Sequence, residues 1–101
     1  MNMRGKDRAA LRAEAHHLVV TVHVGHGGLT PTLIKSCNDV LRTRELVKGQ
    51  VAKAGDLSAK EAAEHLASEL KAEIIHVIGR TFTLYRENPD LERGELPAWR
   101  Q

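Results

Sequence analysis

Residues 18–24 read LVVTVHV, Gly25, His26, Gly27 and Gly28 follow directly, and Thr30 and Pro31 then open a different pattern. This junction constrains the fold more than any other feature of the sequence. Val19, Val20, Thr21, Val22 and Val24 are β-branched and favour a strand over residues 18–24. Its alternation puts Leu18, Val20, Val22 and Val24 on one face and Val19, Thr21 and His23 on the other. The glycines permit backbone angles and close approaches that other residues do not, so a tight loop is expected. Thr30 is suited to cap a helix, Pro31 to its first turn, and Leu29 to staple against Ile34. Leu33, Ile34, Cys37, Val40 and Leu41 then recur as an apolar helical stripe. A strand therefore runs into a helix through a loop almost bare of side chains.

The remaining segments fall into place around this junction. Residues 6–15 have the composition of a helix, and Arg4, Arg8, Arg12 and His16 recur every four residues, which makes them one cationic ridge. Residues 46–52 form a second strand, weakened by Gly49. Ser58 and Glu61 make a capping box for a helix that buries Ala62, Ala63, Leu66, Ala67 and Leu70 and leaves a solvated charged face. Residues 73–78 and 81–86 are two strands around a two-residue turn at Gly79 and Arg80. Residues 87–101 hold all but one of the prolines and read as a tail. The order is a helix followed by β-α-β-α-β-β, with right-handed parallel crossovers. It differs from the β-α-β-β-α-β order of RNA-recognition motifs. The chain has one Phe, one Tyr and one Trp. Phe82 and Tyr85, an odd number apart on one strand, point to opposite faces, which argues against a sheet that stacks several bases.

At 101 residues the chain fits one domain, expected over residues 1–86, and 42% hydrophobic with 28% charged residues is the balance of a folded soluble protein. No run is apolar enough for a membrane span and residues 1–15 are too polar for a signal peptide, so a cytoplasmic location is expected. Cys37 is the only cysteine, which excludes an internal disulfide and a cysteine-based zinc site. His16, His17, His23 and His26 lie close together but lack familiar ligand spacing, so no metal is expected. Cys37 sits in an apolar stripe, and Glu61, Glu64 and Glu69 fit a solvated helix face. With no convergent acid, base or nucleophile, no enzyme activity or cofactor is expected.

The formal net charge of +2 hides an asymmetry: residues 1–53 hold nine Lys and Arg against four Asp and Glu, residues 54–101 six against nine. The glycine loop lies in the basic half, where a strand end meets a helix start. Unpaired N–H groups and the positive end of the helix dipole favour phosphate there. The dinucleotide fingerprint and the P-loop motif are absent. A G-x-x-G loop can be only a turn, but in KH domains it clamps nucleic-acid backbone. Here Lys35 follows about one and a half turns into the helix, and the Arg4, Arg8, Arg12 ridge belongs to the same half of the chain.

The segments LRAEAH (residues 11–16), VGHGGLT (24–30), ELVK (45–48) and VIGRTFTLYR (77–86), in this order, resemble the CRM domain, named for chloroplast RNA splicing and ribosome maturation, and its stand-alone bacterial YhbY-like members. The resemblance spans residues 11–86. It implies a two-layer α/β (α+β) fold with a four-stranded mixed sheet, similar to the C-terminal domain of bacterial translation initiation factor three. It also implies RNA binding through Gly25, His26, Gly27 and Gly28, and association with precursors of the large ribosomal subunit. The family commonly has a proline near Val20 and a Lys or Ser where His26 stands.

The expectation is an RNA-binding ribosome assembly factor whose partner is ribosomal RNA of large-subunit precursors, with no membrane and no small-molecule substrate. Gly25, Gly27 and Gly28 give backbone access, His26 a polar or cationic tip, and Arg4, Arg8, Arg12 and Lys35 charge. Arg80 and Arg86 are further candidates, with a structural role as the alternative for Arg86. The rival expectation is an adaptor that docks on ribosomal proteins through the acidic helix after residue 58.

Overall fold

The computed structural model describes residues 5–53, 55 and 57–88, without the side chains of residues 5–8. Arg4, the Arg8 side chain and the tail beyond residue 88 lie outside it. The elements are α1 (Gly5–Ala15), β1 (Val22–Val24), α2 (Pro31–Arg44), β2 (Leu46–Val51), α3 (Ala59–Leu70), β3 (Glu73–Ile78) and β4 (Thr81–Tyr85).

Local chemistry explains where the two long helices begin. Thr30 accepts from the Leu33 N–H at 3.2 Å with Pro31 in the first turn of α2. At α3 the Ser58 Oγ accepts from the Glu61 N–H at 3.0 Å while Glu61 Oε1 accepts from the Ser58 N–H at 3.1 Å. These bonds hold the Glu61 carboxyl below its ordinary range, the Ser58 main-chain bond most. Both helices end on a non-glycine residue in the left-handed conformation, Glu45 at φ 66° and Lys71 at φ 56°.

The strands form one mixed sheet in the order β1-β2-β4-β3. β1 and β2 run parallel across the α2 connection, and β4 lies antiparallel between β2 and β3. α2 packs on β1 and β2, α3 mainly on β3 and β4. Beneath them Val22, Val24, Cys37, Leu41, Val47, Leu66, Phe82 and Leu84 make the main core. Fully burying side chains of this size stabilises by about 1.5–3 kcal/mol each. Gly49 sits against the Phe82 ring: a Cβ there would run into it. The residue that weakens β2 as a strand is the one that admits its largest neighbour.

The other face carries a smaller cluster of Leu11, Leu46, Ile75 and Tyr85, with Leu18 against it. α1 lies here, so a partial layer covers the sheet opposite α2 and α3, in addition to the two layers expected. The separation of Phe82 and Tyr85 into the two cores follows their odd spacing. Ile75 reaches the second core through a register shift between Ile74 and His76, a bulge that turns one extra residue inward.

The expected strand over residues 18–24 is corrected to Val22–Val24. Leu18 and His17 instead bond back to the end of α1, Leu18 N–H to the Ala15 carbonyl at 3.2 Å and His17 N–H to Glu14 at 3.0 Å. Leu18 thereby joins the α1 core, on the opposite sheet face from Val22 and Val24. Strand alternation would have put all three on one face, so the chain must leave extended geometry between them. Val19 is left 79% exposed. The other expected strands and helices differ from those observed by a residue or less at the ends compared. Among the described residues no helix is long and apolar enough to cross a membrane.

Candidate nucleic-acid interface

The glycine loop sits where β1 ends and α2 begins. The Gly28 N–H bonds the Gly25 carbonyl at 3.0 Å and the Thr30 N–H the Gly28 carbonyl at 3.2 Å, closing a compact turn. The N–H groups of His26, Gly27 and Leu29 have no acceptor among the described residues. They stand at the amino end of a 14-residue helix, where the aligned peptide dipoles favour an anion.

The three glycines differ. Gly28 has φ +70°, a conformation that other residues adopt only with strain. A Cβ at Gly25 would meet nothing within 4 Å, and one at Gly27 only the Thr30 methyl at an ordinary 3.5 Å. Neither has a positive φ. The fold has room for side chains at Gly25 and Gly27, and their absence leaves the main chain open.

Concavities surround this turn. Gly25, Gly27 and Gly28 border a groove of about 350 Å³ that runs along Thr21, Thr30, Thr32 and Ser36. A second depression, of about 300 Å³, extends from Gly25 over His23 and Gln50 to Arg80. A smaller one of about 160 Å³ separates the loop from Ala52, Gly55 and Leu57. His26 is exposed at the tip and Lys35 on the outer side of α2. The hydroxyls of the groove and the His23–Gln50 pair escape a reading by charge and glycine alone. Their signal is alternation: His23 and Gln50 are the residues that the buried Val22, Val24 and Val51 leave facing out.

Among the described residues the expected cations do not share one patch. Arg80 borders the depression beside the loop. Arg12 is exposed on α1, across the sheet from α2, and its neighbour Leu11 packs on Leu46 and Tyr85. Leu46 and Val51 are at opposite ends of β2, about 17 Å apart. Arg86 is half-buried and engaged inside the fold. Its Nη1 donates to Asn38 Oδ1 at 2.8 Å and to the Leu70 carbonyl at 3.0 Å, its Nη2 to the Asn38 carbonyl at 3.4 Å. Of the two readings of Arg86, these contacts fit the structural one. Burial pushes the Cys37 thiol up to about 11, with the Arg86 charge opposing, so it stays protonated and unreactive at neutral pH. Among the described residues no group of three His, Cys, Asp or Glu could hold a metal ion.

The family model described as the CRS1 / YhbY (CRM) domain matches residues 3–86. The chain belongs to the CRM domain family. A relative from Bacillus subtilis named "Probable RNA-binding protein YqeI" is 34% identical over 95 residues, 94% of this chain and 99% of that protein. One from Methanocaldococcus jannaschii, "Probable RNA-binding protein MJ0652", is 41% identical over 83% of this chain and 63% of its own length. The solution structure of the hypothetical protein SAV1595 from Staphylococcus aureus superposes with a TM-score of 0.74 at 33% identity, over 90% of this chain and 95% of that one. The CRM assignment thus rests on both sequence and fold.

Proposed function

We propose that this CRM protein grips RNA backbone with the Gly25–Gly28 turn and serves in the cytoplasm as an assembly factor on ribosomal RNA of large-subunit precursors, without chemistry of its own. The observation that supports the grip is the pair Gly25 and Gly27, glycine where the fold requires none, beside N–H donors lacking an acceptor among the described residues. Glycine there lets a phosphate approach the main chain, and the helix dipole adds attraction. His26, Lys35 and Arg80 supply polar and positive groups around the turn, with Arg12 on α1, Arg4 and Arg8 as further cations, and Arg86 bracing the fold at the other end of the sheet.

The test uses Gly27→Asp in the purified protein, free of other proteins. There is space for the new side chain, so the unfolding midpoint should shift little, while its charge repels phosphate. RNA affinity should fall at least tenfold, and equal affinity of variant and parent would rule out the loop. Crosslinking in cells, with the nucleotides mapped, tests the ribosomal assignment: crosslinks concentrated in large-subunit precursor RNA are expected.

A further inference from the structure

One row of side chains crosses the open sheet face beside the loop. His23 on β1 is the lateral neighbour of Gln50 on β2, Gln50 of Thr81 on β4, and Thr81 of Ile78 on β3. Paired residues point to the same face, about 4.8 Å apart. Thr81 is committed, its hydroxyl donating to the Ile78 carbonyl at 2.9 Å. The half-buried carboxamide of Gln50 has no hydrogen-bond partner among the described residues, nor has the exposed guanidinium of Arg80. A polar group held at a protein surface with neither donor nor acceptor satisfied by the chain is available to a ligand.

These groups border the depression of about 300 Å³ that begins at Gly25. That is the low end of small-molecule site volumes, the scale of one base and its sugar. Its floor is tied together by main-chain bonds, the Ala52 N–H to the Val24 carbonyl and the Val51 N–H to the Arg80 carbonyl, both 2.8 Å. His23 and Gln50 are thus presented by paired strands, with one wall shared with the loop.

We propose that this depression is a nucleobase site, which takes the base next to the phosphate held by the glycine loop. It deepens the RNA reading, on which it rests. The carboxamide of Gln50 offers a donor and an acceptor side by side and matches an amino group beside a ring nitrogen, as on adenine or the pairing edge of cytosine, of which adenine has the larger face to stack. The His23 imidazole gives that base a stacking surface, and Arg80 meets the flanking phosphate. The open face then reads one base, and the loop reads none.

The experiment compares short oligo-A, oligo-C, oligo-G and oligo-U RNAs, and an abasic backbone of the same length, on the parent and on Gln50→Ala, Gln50→Leu and His23→Ala. The parent should bind oligo-A most tightly and the abasic backbone most weakly. Either Gln50 variant should reduce the preference for oligo-A by on the order of tenfold, and His23→Ala should weaken all base-bearing RNAs relative to the abasic one. The leucine variant keeps the side-chain volume, so its result decides if the alanine variant does not fold. Equal binding of all five ligands by the parent, or an unchanged preference in folded Gln50 variants, overturns the base site while leaving the loop grip intact. A parent that binds none of them overturns the RNA reading itself.

Discussion

Gly49 and Phe82 meet in the main core so closely that no Cβ fits between them, and nothing in the sequence around Gly49 announces it. The two residues are 33 positions apart, and the requirement for glycine appears only when β2 and β4 pair in a particular register. Gly49→Ala should destabilise the domain by about 1–3 kcal/mol through overpacking, measured by denaturant unfolding. Phe82→Leu in the same chain should recover part of that loss, and a loss independent of residue 82 would place the strain elsewhere. Arg86 shows the same limit of local reading: its sequence neighbourhood does not indicate whether its charge faces RNA or the protein. Truncating it leaves Asn38 and the Leu70 carbonyl without their donor. Arg86→Ala should cost about 1–3 kcal/mol of stability and leave the salt dependence of RNA binding unchanged. A lowered salt slope would return Arg86 to the interface.

At the scale of elements, the features legible in the sequence were those fixed by neighbours. Thr30 with Pro31, and Ser58 with Glu61, announce helix starts because each cap is closed within three residues. The Gly79 turn is equally local, with φ +56° at that glycine. Residues 18–21 have the composition of a strand, rich in β-branched side chains, whereas Leu18 is drawn to the α1 core on the other face. Packing overrode propensity there. The capping box also makes a pH prediction. The Glu61 carboxyl titrates below its ordinary range in the folded protein. Its stabilisation is therefore fully present above the unfolded-state pKa, about 4.3, and is lost as pH falls through the lower folded value. Glu61→Ala should be less stable than the parent at pH 7, and the gap should narrow as the pH falls toward 3. A gap independent of pH would mean that the carboxylate is not the capping group.

On the scale of the whole molecule, the sheet decides which cations act together. The sequence places the loop and the Arg4, Arg8, Arg12 ridge in one basic half, but chain proximity is not spatial proximity. β4 inserts between β2 and β3, and α1 packs over the face opposite α2. The loop, His23, Gln50 and Arg80 gather at one end of the sheet. Between them and Arg12 lies the middle of the open face, with Lys48 donating to the Ala15 carbonyl at 3.3 Å and His16 edge-on to His76 at 6.1 Å. An RNA strand that touches both ends must cross this face. Each phosphate contact removed lowers the slope of log affinity against log salt by about 0.7 on single strands. Arg80→Ala should produce that drop with an RNA of about four nucleotides, the length a G-x-x-G loop spans, and with a longer one. Arg12→Ala should produce it only with the longer RNA, because the short one held at the loop does not reach α1. An equal drop on both lengths would mean that Arg12 and the loop share one patch, contrary to the sheet geometry. No drop on either would take α1 off the RNA and leave its arginines a solvated helix face.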